Sequence, residues 1–203
     1  RFGTATLIGP RHALTAHHIA FPAVDAAGPN VASLLHLGPP RADFPFTATF
    51  AARPVAWGDM GGHVNADWAV LELAEPAGDT WGWWPVEALG SDAAMARPGA
   101  FRAAGHPAWE RRDRLAVDPA CTVWEETGSV PAWRMDCAVR VGVSGGPVFL
   151  DGPSADDRPR LTAIVKGDFF PTDAVIPAWD RRAANVAVPV MMFRDRIEPY
   201  LGA

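Results

Sequence analysis

The sequence predicts a single all-β domain built from short strands, in the manner of a sandwich or a barrel. The chain has 203 residues, of which 49% are hydrophobic and 20% are charged, so it can bury one substantial core. Its 19 glycines and 20 prolines are spread along the whole chain and divide it into short apolar runs. Runs of that length, bounded by turn residues at close intervals, are typical of all-β proteins.

The predicted strands follow one another at short intervals through both halves of the chain. The first two, at 4–8 and 12–16, are separated by the turn residues Gly9 and Pro10. Apolar residues recur near helical spacing at 190–201, which predicts a helix at the C-terminal end. The remaining strands are predicted at 31–37, 46–51, 68–73, 115–117, 121–124, 133–137, 148–150, 161–165 and 185–189.

Charge and hydropathy disfavour two classes of partner. The net charge of −5 provides no basic surface for nucleic acid. No uninterrupted apolar run reaches the roughly 18 residues of a membrane-spanning helix. The sequence begins at Arg1 without the features of a signal peptide, so we expect any such peptide to have been removed or to lie outside this sequence. We therefore expect neither nucleic acid nor a membrane as a partner.

One serine lies in the glycine-rich stretch 142–147, directly before the apolar run 148–150. The glycines allow a positive φ, and they leave main-chain N–H groups able to face an oxyanion that develops on a substrate. Ser144 is therefore a candidate nucleophile. A tight turn with a solvated hydroxyl explains the same six residues equally well, so the interpretation depends on partners elsewhere in the chain.

The histidines decide which catalytic arrangement Ser144 could join, because a serine needs a base to take its proton and a third group to orient that base. Every histidine precedes Ser144. This excludes the α/β-hydrolases, whose G-x-S-x-G serine comes before the acid and the histidine. Two common orders remain, Asp-His-Ser and His-Asp-Ser. The candidate bases are His12, His17, His18, His36, His63 and His106.

Three motifs, in the order histidine, aspartate, serine, resemble those of the trypsin-like serine proteases, and more closely the bacterial branch that includes the glutamyl endopeptidases. The motifs are GTATLIG at 3–9 followed by LTAHH at 14–18, DWAVL at 67–71, and GVSGGP at 142–147. Each motif is weak alone, but together they extend the resemblance over nearly the whole chain. Matching the family's Thr-Ala-Ala-His pattern puts the base at His18 and leaves His17 where a small residue is usual.

The resemblance implies one chymotrypsin-like peptidase domain over residues 1–203. It implies two packed six-stranded antiparallel β-barrels, at about 1–85 and about 99–189, and a C-terminal helix at about 190–201. A further strand upstream of Phe2 is also expected. Members of the family hydrolyse peptide bonds, so we expect a protein or peptide substrate, no metal or organic cofactor, and a monomer.

The resemblance also implies the catalytic roles. Ser144 is the expected nucleophile, His18 the general base and then acid, and Asp67 the carboxylate that orients the imidazole. The N–H groups of Gly142 and Ser144 are expected to form the oxyanion hole. The alternative is a protease-like binding or regulatory module that has lost its activity.

Four residues are expected at the substrate pocket: Ala138 at its base, and Lys166, Gly167 and Asp168 along its wall. The aspartate of trypsin is absent from the base, so the resemblance implies a small or apolar substrate residue rather than Arg or Lys. Lys166 stands where relatives usually place a serine. Two positions are open for its ammonium group, either beside Asp67 or in the pocket, where it would favour an acidic substrate residue.

Cys121 and Cys137 are the only two cysteines and can form a disulfide. In the chain-entropy model a loop of this size stabilises the fold by about 3 kcal/mol. A disulfide implies an oxidising compartment, so we expect a secreted or periplasmic protein if the two pair. Two buried, reduced thiols are the alternative.

Val143 departs from the pattern of animal trypsins, which have an aspartate here that pairs with the newly cut N-terminal amine. Valine carries no charge for such a pair. We therefore expect local packing of Val141 and Val143, with the nearby disulfide if it forms, to hold the loop around Gly142.

Overall fold

A computed structural model describes residues 3–21, 33–37, 48–59, 63–107, 115–125, 132–152, 154, 158–167 and 184–202. Within these residues the chain forms two antiparallel β-sheets and a few short helices, which confirms the predicted all-β architecture. The strands are β1 (Ala5–Leu7), β2 (His12–Thr15), β3 (Ser33–Leu37), β4 (Ala48–Trp57), β5 (Ala69–Leu73), β6 (Phe101–Gly105), β7 (Ala116–Cys121), β8 (Val123–Glu125), β9 (Trp133–Met135), β10 (Pro147–Leu150), β11 (Arg160–Gly167) and β12 (Asn185–Pro189).

The first sheet contains five described strands in the order β1-β2-β5-β4-β3. Strand β5 lies between β2 and β4, and Ala69 pairs with Thr15 on one side and with Trp57 on the other. Extending the antiparallel register beyond the Thr15–Ala69 pair brings Asp67 beside the residues that follow β2. The sheet therefore places Asp67 next to the histidine pair.

The second sheet forms a nearly closed, six-stranded barrel. Its strand order is β7-β6-β10-β11-β12-β9-β8. The two edge strands, β7 and β8, are separated in sequence only by Thr122, so they are two parts of one strand. The six-stranded second barrel implied by the sequence is thus present.

The helices are short and lie at the ends of the strands. The predicted C-terminal helix is present but divided: a 3-10 turn at Val190–Met192, then an α-helix, then a 3-10 turn at Glu198–Tyr200. Phe193 lies at φ −141°, outside the helical region, which separates the first two parts. No helix among the described residues is long and apolar enough to cross a membrane. The α-helices are α1 (His17–Ala20), α2 (Ala77–Trp81), α3 (Ser91–Met95) and α4 (Arg194–Ile197).

The two sheets and the C-terminal helix share one buried apolar cluster. Trp68, which follows Asp67 in the chain, stacks on Phe193 with ring centroids 4.8 Å apart. The guanidinium of Arg196 covers Trp68 at 4.8 Å from a ring centroid. This packing holds the segment that carries Asp67 against the second barrel. The buried members are Ile8, Leu14, Trp68, Val70, Leu161, Ile164, Val188, Val190, Phe193 and Ile197.

The disulfide between Cys121 and Cys137 is present, with the two Cα atoms 4.9 Å apart. Both cysteines are buried. The Asn185 amide donates a hydrogen bond of 2.7 Å to the carbonyl of Cys137, which ties the same segment to β12. The bridge therefore anchors the chain directly before Ala138.

Candidate active site

Asp67 lies at the bottom of the candidate site, with a side chain that is only 1% exposed. Asp67 directly follows a 3-10 turn at Val64–Ala66 and precedes the buried Trp68. The His18 ring donates from Nδ1 toward Oδ2 at 2.8 Å and lies 3.0 Å from Oδ1. The main-chain N–H of His18 donates a further bond of 3.0 Å to Oδ1. Two donors from one residue thus hold the buried carboxylate.

The electrostatics of this pair favour an ionised Asp67. Burial of the carboxyl group alone would raise its pKa. The hydrogen bonds from the His18 ring and main chain, together with the charges of His18 and Lys166, outweigh that effect, and the pKa of Asp67 lies below its ordinary value. An ionised carboxylate only accepts, so Nδ1 must carry a proton. In the neutral ring the proton-accepting nitrogen is then Nε2.

The structure distinguishes His18 from its neighbour His17. Both begin helix α1, and only His18 makes the hydrogen bonds to Asp67. His17 instead stacks on Phe21, with ring centroids 4.6 Å apart, and Phe21 makes an edge contact with Trp57 at 5.3 Å. Partial burial lowers the pKa of His17, more than the nearby Asp67 raises it. The structure therefore brings His18 to the aspartate, as the family pattern implied.

Among the described side chains, those of His12, His63 and His106 make no hydrogen bond to Asp67. His12 packs edge-on against Tyr200, 5.1 Å between centroids, and His36 lies within β3. His63 is an exposed residue before a 3-10 turn, and the main chain of His106 is bonded to Thr4. Among the residues that the structure describes, no three His, Cys, Asp or Glu side chains are grouped to hold a metal ion.

The serine loop has an alternating pattern of main-chain hydrogen bonds. The N–H groups of Val143, Gly145 and Gly146 donate to the carbonyls of Arg140, Val165 and Val143, respectively. Within the described part of the chain, the N–H groups of Gly142 and Ser144 donate to no acceptor. Main-chain donors with no internal partner are available to a ligand. They belong to the two residues that were expected to form the oxyanion hole.

Two glycines in this loop are required by its geometry. Gly142 has φ +100° and Gly145 has φ +82°, a region that side-chain-bearing residues rarely adopt. A Cβ on Gly145 would also lie 2.2 Å from Thr15 Oγ1 and 2.8 Å from the nitrogen of Ala16. The serine loop thus packs on the end of β2, two residues before His18, and the fold brings Ser144 and His18 into one region.

The two valines of the loop lie in different environments. Val143 is 4% exposed and lies against Gly105 of β6, since a Cβ on that glycine would meet its Cγ1 at 2.6 Å. Val141 is 41% exposed. The expectation that both valines pack against neighbouring strands is therefore wrong for Val141, which sits at the exposed tip of the turn.

The structure describes three of the four expected pocket residues, namely Ala138, Lys166 and Gly167. Ala138 is exposed and its N–H donates to the Asp118 carboxylate. Gly167 has φ +138°, and a Cβ there would lie 3.4 Å from the Ser144 hydroxyl oxygen. Strand β11 therefore runs directly beside the serine. Asp168 lies outside the described residues.

Lys166 sits at an irregularity in β11. The register with β12 shifts between Val165 and Gly167, which makes Lys166 the extra residue of a bulge. Bulges redirect side chains and are frequent beside active sites. Its charge contributes to the lowered pKa of Asp67, yet the two form no ion pair among the described residues. The direct salt bridge that the sequence left open is therefore not formed.

Thr4 is a residue of this region that the sequence did not single out. Its N–H donates to the carbonyl of Ser144 at 2.8 Å, and its hydroxyl donates to the carbonyl of Gly142 at 2.9 Å. Thr15 in turn donates its hydroxyl to the Thr4 carbonyl at 2.7 Å. The only local signal was a threonine in a strand that the pattern predicts to be buried.

Comparisons with known proteins agree with this geometry. The family model described as "Trypsin-like peptidase domain" matches residues 3–152, which is more than half of the chain. The chain belongs to that family. It is, by that membership, a serine-type endopeptidase.

A solved structure of a Glu endopeptidase in complex with MPD has a similar fold. The TM-score is 0.66 with 14% sequence identity, and the match covers 98% of this chain and 86% of the other. At this identity the similarity supports the chymotrypsin fold and no finer property. No curated protein matches the sequence.

Proposed function

We propose that the protein hydrolyses peptide bonds with a catalytic triad of Ser144, His18 and Asp67. The observation that carries the proposal is the hydrogen-bond pattern of the serine loop. The N–H groups of Gly142 and Ser144 are left without acceptors among the described residues, while those of Val143, Gly145 and Gly146 are all used. A turn built only for stability would be expected to use these donors as well.

The mechanism follows from the positions of the donors and acceptors. The Ser144 oxygen attacks the carbonyl carbon of the scissile peptide while His18 Nε2 takes the serine proton. The carbonyl oxygen becomes an oxyanion and accepts hydrogen bonds from Gly142 and Ser144. His18 then gives the proton to the leaving amine, and the C–N bond breaks to leave an acyl-enzyme.

Water completes the cycle by the same steps. His18 takes a proton from the water as its oxygen attacks the ester, and returns that proton to Ser144 as the acyl group leaves. Asp67 remains ionised throughout. Its hydrogen bonds to His18 hold the ring orientation and stabilise the imidazolium that forms after each proton transfer.

The proposed substrate pocket lies between Ala138 and β11. The small residue at 138 and the glycine at 167 leave room for the side chain of the substrate, and neither of the two carries a charge. We propose a preference for a small or apolar residue, with Lys166 and Asp168 as further wall residues. Lys166 forms no salt bridge with Asp67 among the described residues, so its ammonium group is the one that would favour an acidic substrate residue instead. Digestion of a peptide library distinguishes a preference for small or apolar residues from a preference for acidic ones.

Compartment and assembly belong to the same proposal. The disulfide between Cys121 and Cys137 supports an oxidising compartment, so we propose that the protein acts outside the cytoplasm, in the secreted or periplasmic space. We also propose that it acts as a monomer, because all three triad residues come from one chain.

Labelling with a fluorophosphonate probe tests the function. The probe reacts with a serine only when a base removes its proton, so the purified protein should be labelled in proportion to its activity. Prior unfolding in denaturant should abolish the labelling. A folded protein that is not labelled would instead be the inactive, protease-like binding module.

The pH dependence of kcat/KM is an independent test of a histidine base. Because the pKa of Asp67 is lowered, its carboxylate is ionised across the neutral range, and its titration does not change kcat/KM there. Activity should rise between about pH 5 and 8, since only a neutral imidazole can accept the serine proton. Initial rates at low substrate concentration give this profile, and a flat profile over that range would contradict the proposal.

A further inference from the structure

Thr4 makes hydrogen bonds with four different groups at the junction of the two barrels. Its N–H donates to the Ser144 carbonyl, and its carbonyl accepts from the Thr15 hydroxyl. Its side-chain hydroxyl lies 2.9 Å from the Gly142 carbonyl and accepts from the main-chain N–H of His106 at 3.0 Å. Thr4 is only 6% exposed, so these bonds are shielded from water.

The direction of each bond at the hydroxyl follows from its partners. The N–H of His106 can only donate, so the hydroxyl oxygen is its acceptor. The carbonyl of Gly142 can only accept, so the hydroxyl proton points to it. One hydroxyl therefore satisfies a main-chain donor from the end of β6 and a main-chain acceptor from the serine loop. If the Thr4 side chain rotated to another conformer, its hydroxyl would lose the bond to the Gly142 carbonyl, the bond from the His106 N–H, or both.

The two carbonyls that Thr4 binds belong to Gly142 and Ser144. These are the two residues whose N–H groups have no acceptor in the described chain. Gly142 has φ +100°, and glycine is free to leave that conformation because it lacks a Cβ. The hydrogen bond from the Thr4 hydroxyl to the Gly142 carbonyl therefore restricts the orientation of the whole glycine residue.

We propose that Thr4 is a positioning residue that holds the oxyanion-binding N–H groups of Gly142 and Ser144 in their active orientation. The proposal rests on the proposed serine mechanism. Thr4 does not touch the substrate. It acts through the two carbonyls, so that the first barrel, which carries His18, also sets the geometry of the loop that carries Ser144.

The loop has little else to hold Gly142. Val143 is buried and carries no charge, and Val141 is exposed. The Val143 N–H donates to the Arg140 carbonyl and closes the turn, while the N–H of Gly142 itself donates to no acceptor among the described residues. Within the described part of the chain, the Thr4 hydroxyl is the one hydrogen-bond donor to the Gly142 carbonyl.

Substitution of Thr4 by valine removes the hydroxyl and keeps the shape of the side chain. We expect kcat to fall about tenfold, the change that corresponds to one hydrogen bond, with KM changed less. The affinity for a peptidyl trifluoromethyl ketone, which forms an oxyanion adduct with the serine, should fall by the same factor as kcat. Thr4→Ser keeps the hydroxyl and should restore most of both values.

Thr6→Val is the matched control. Thr6 lies in β1, two residues from Thr4, and is 7% exposed, and its hydroxyl has no partner in the described residues. Removing the Thr6 hydroxyl changes a buried threonine close to Thr4 in the chain and breaks none of the hydrogen bonds of the serine loop. We expect kcat and ketone affinity to stay at the values of the unaltered protein.

The outcomes separate positioning from a structural role. Thr4→Val with a lowered unfolding temperature but unchanged kcat and ketone affinity would overturn the proposal, as would an equal loss of kcat in Thr6→Val. If Thr4→Val does not fold, Thr4→Ala carries the same test because it adds no bulk. Failure of the serine mechanism itself would be visible separately, since the unaltered protein would not react with a fluorophosphonate.

Discussion

Replacing Ser144 with alanine should abolish peptide hydrolysis while leaving the fold intact. The hydroxyl is the proposed nucleophile, and loss of such a group costs about five to six orders of magnitude in kcat. The hydrogen bond that Ser144 makes to Thr4 uses its main-chain carbonyl, which alanine retains. The flanking glycines keep their conformations, so the unfolding temperature should change little. Steady-state hydrolysis of a peptide and fluorophosphonate labelling measure the loss.

Ser154→Ala is the matched control for this prediction. Ser154 is an exposed serine beyond β10, so its hydroxyl has no role in the proposed chemistry. The control should keep both hydrolysis and labelling. Comparable activity in Ser144→Ala and the control would remove Ser144 as the nucleophile and, with it, the proposed mechanism.

The second large effect is expected at His18, with His17 as the neighbouring control. His18→Ala removes the proposed base, and we expect kcat to fall by about four to six orders of magnitude. His17→Ala loses a ring that stacks on Phe21 and makes no bond to Asp67, so activity should fall less than about tenfold. Rates measured on both purified variants give the ranking. The opposite ranking would show that His17 is the base.

His18→Ala also leaves the buried carboxylate of Asp67 without its ring donor. Loss of one partner of a buried pair is destabilising, so this variant could lose activity by unfolding. His18→Gln provides a second measurement, because its amide can still donate to Asp67 but cannot accept the serine proton at neutral pH. A folded His18→Gln protein with near-normal activity would contradict the assignment of the base.

Local pattern predicted with good accuracy the hairpin that precedes His18. Strands were predicted at 4–8 and 12–16, and the structure has Ala5–Leu7 and His12–Thr15. A glycine-proline turn between two apolar runs is a local signal, so neighbouring residues suffice to recognise it. The C-terminal helix was predicted less well, because hydrophobic spacing alone does not reveal where the backbone leaves the helical region, as it does at Phe193.

The serine loop has features that local sequence patterns do not predict. Val141 and Val143 have the same side chain two positions apart, yet one is exposed and the other is buried against Gly105. The cysteine spacing favoured a disulfide, but it left two reduced thiols as an alternative that only the tertiary structure removes. In both cases the outcome depends on strands that are distant in sequence.

The sequence by itself determined which residues could act and in what order, because the chemistry requires particular side chains: a serine among glycines, a histidine base and a carboxylate. The family pattern already favoured His18 over His17 as the partner of Asp67, whereas tertiary structure alone decided that Thr4 contacts a loop 138 residues away. It also decided which N–H groups of that loop stay available. The physical reason is that hydrogen bonds between the two barrels depend on strand register and loop direction across the whole fold, and such contacts leave no periodic signal in the local sequence.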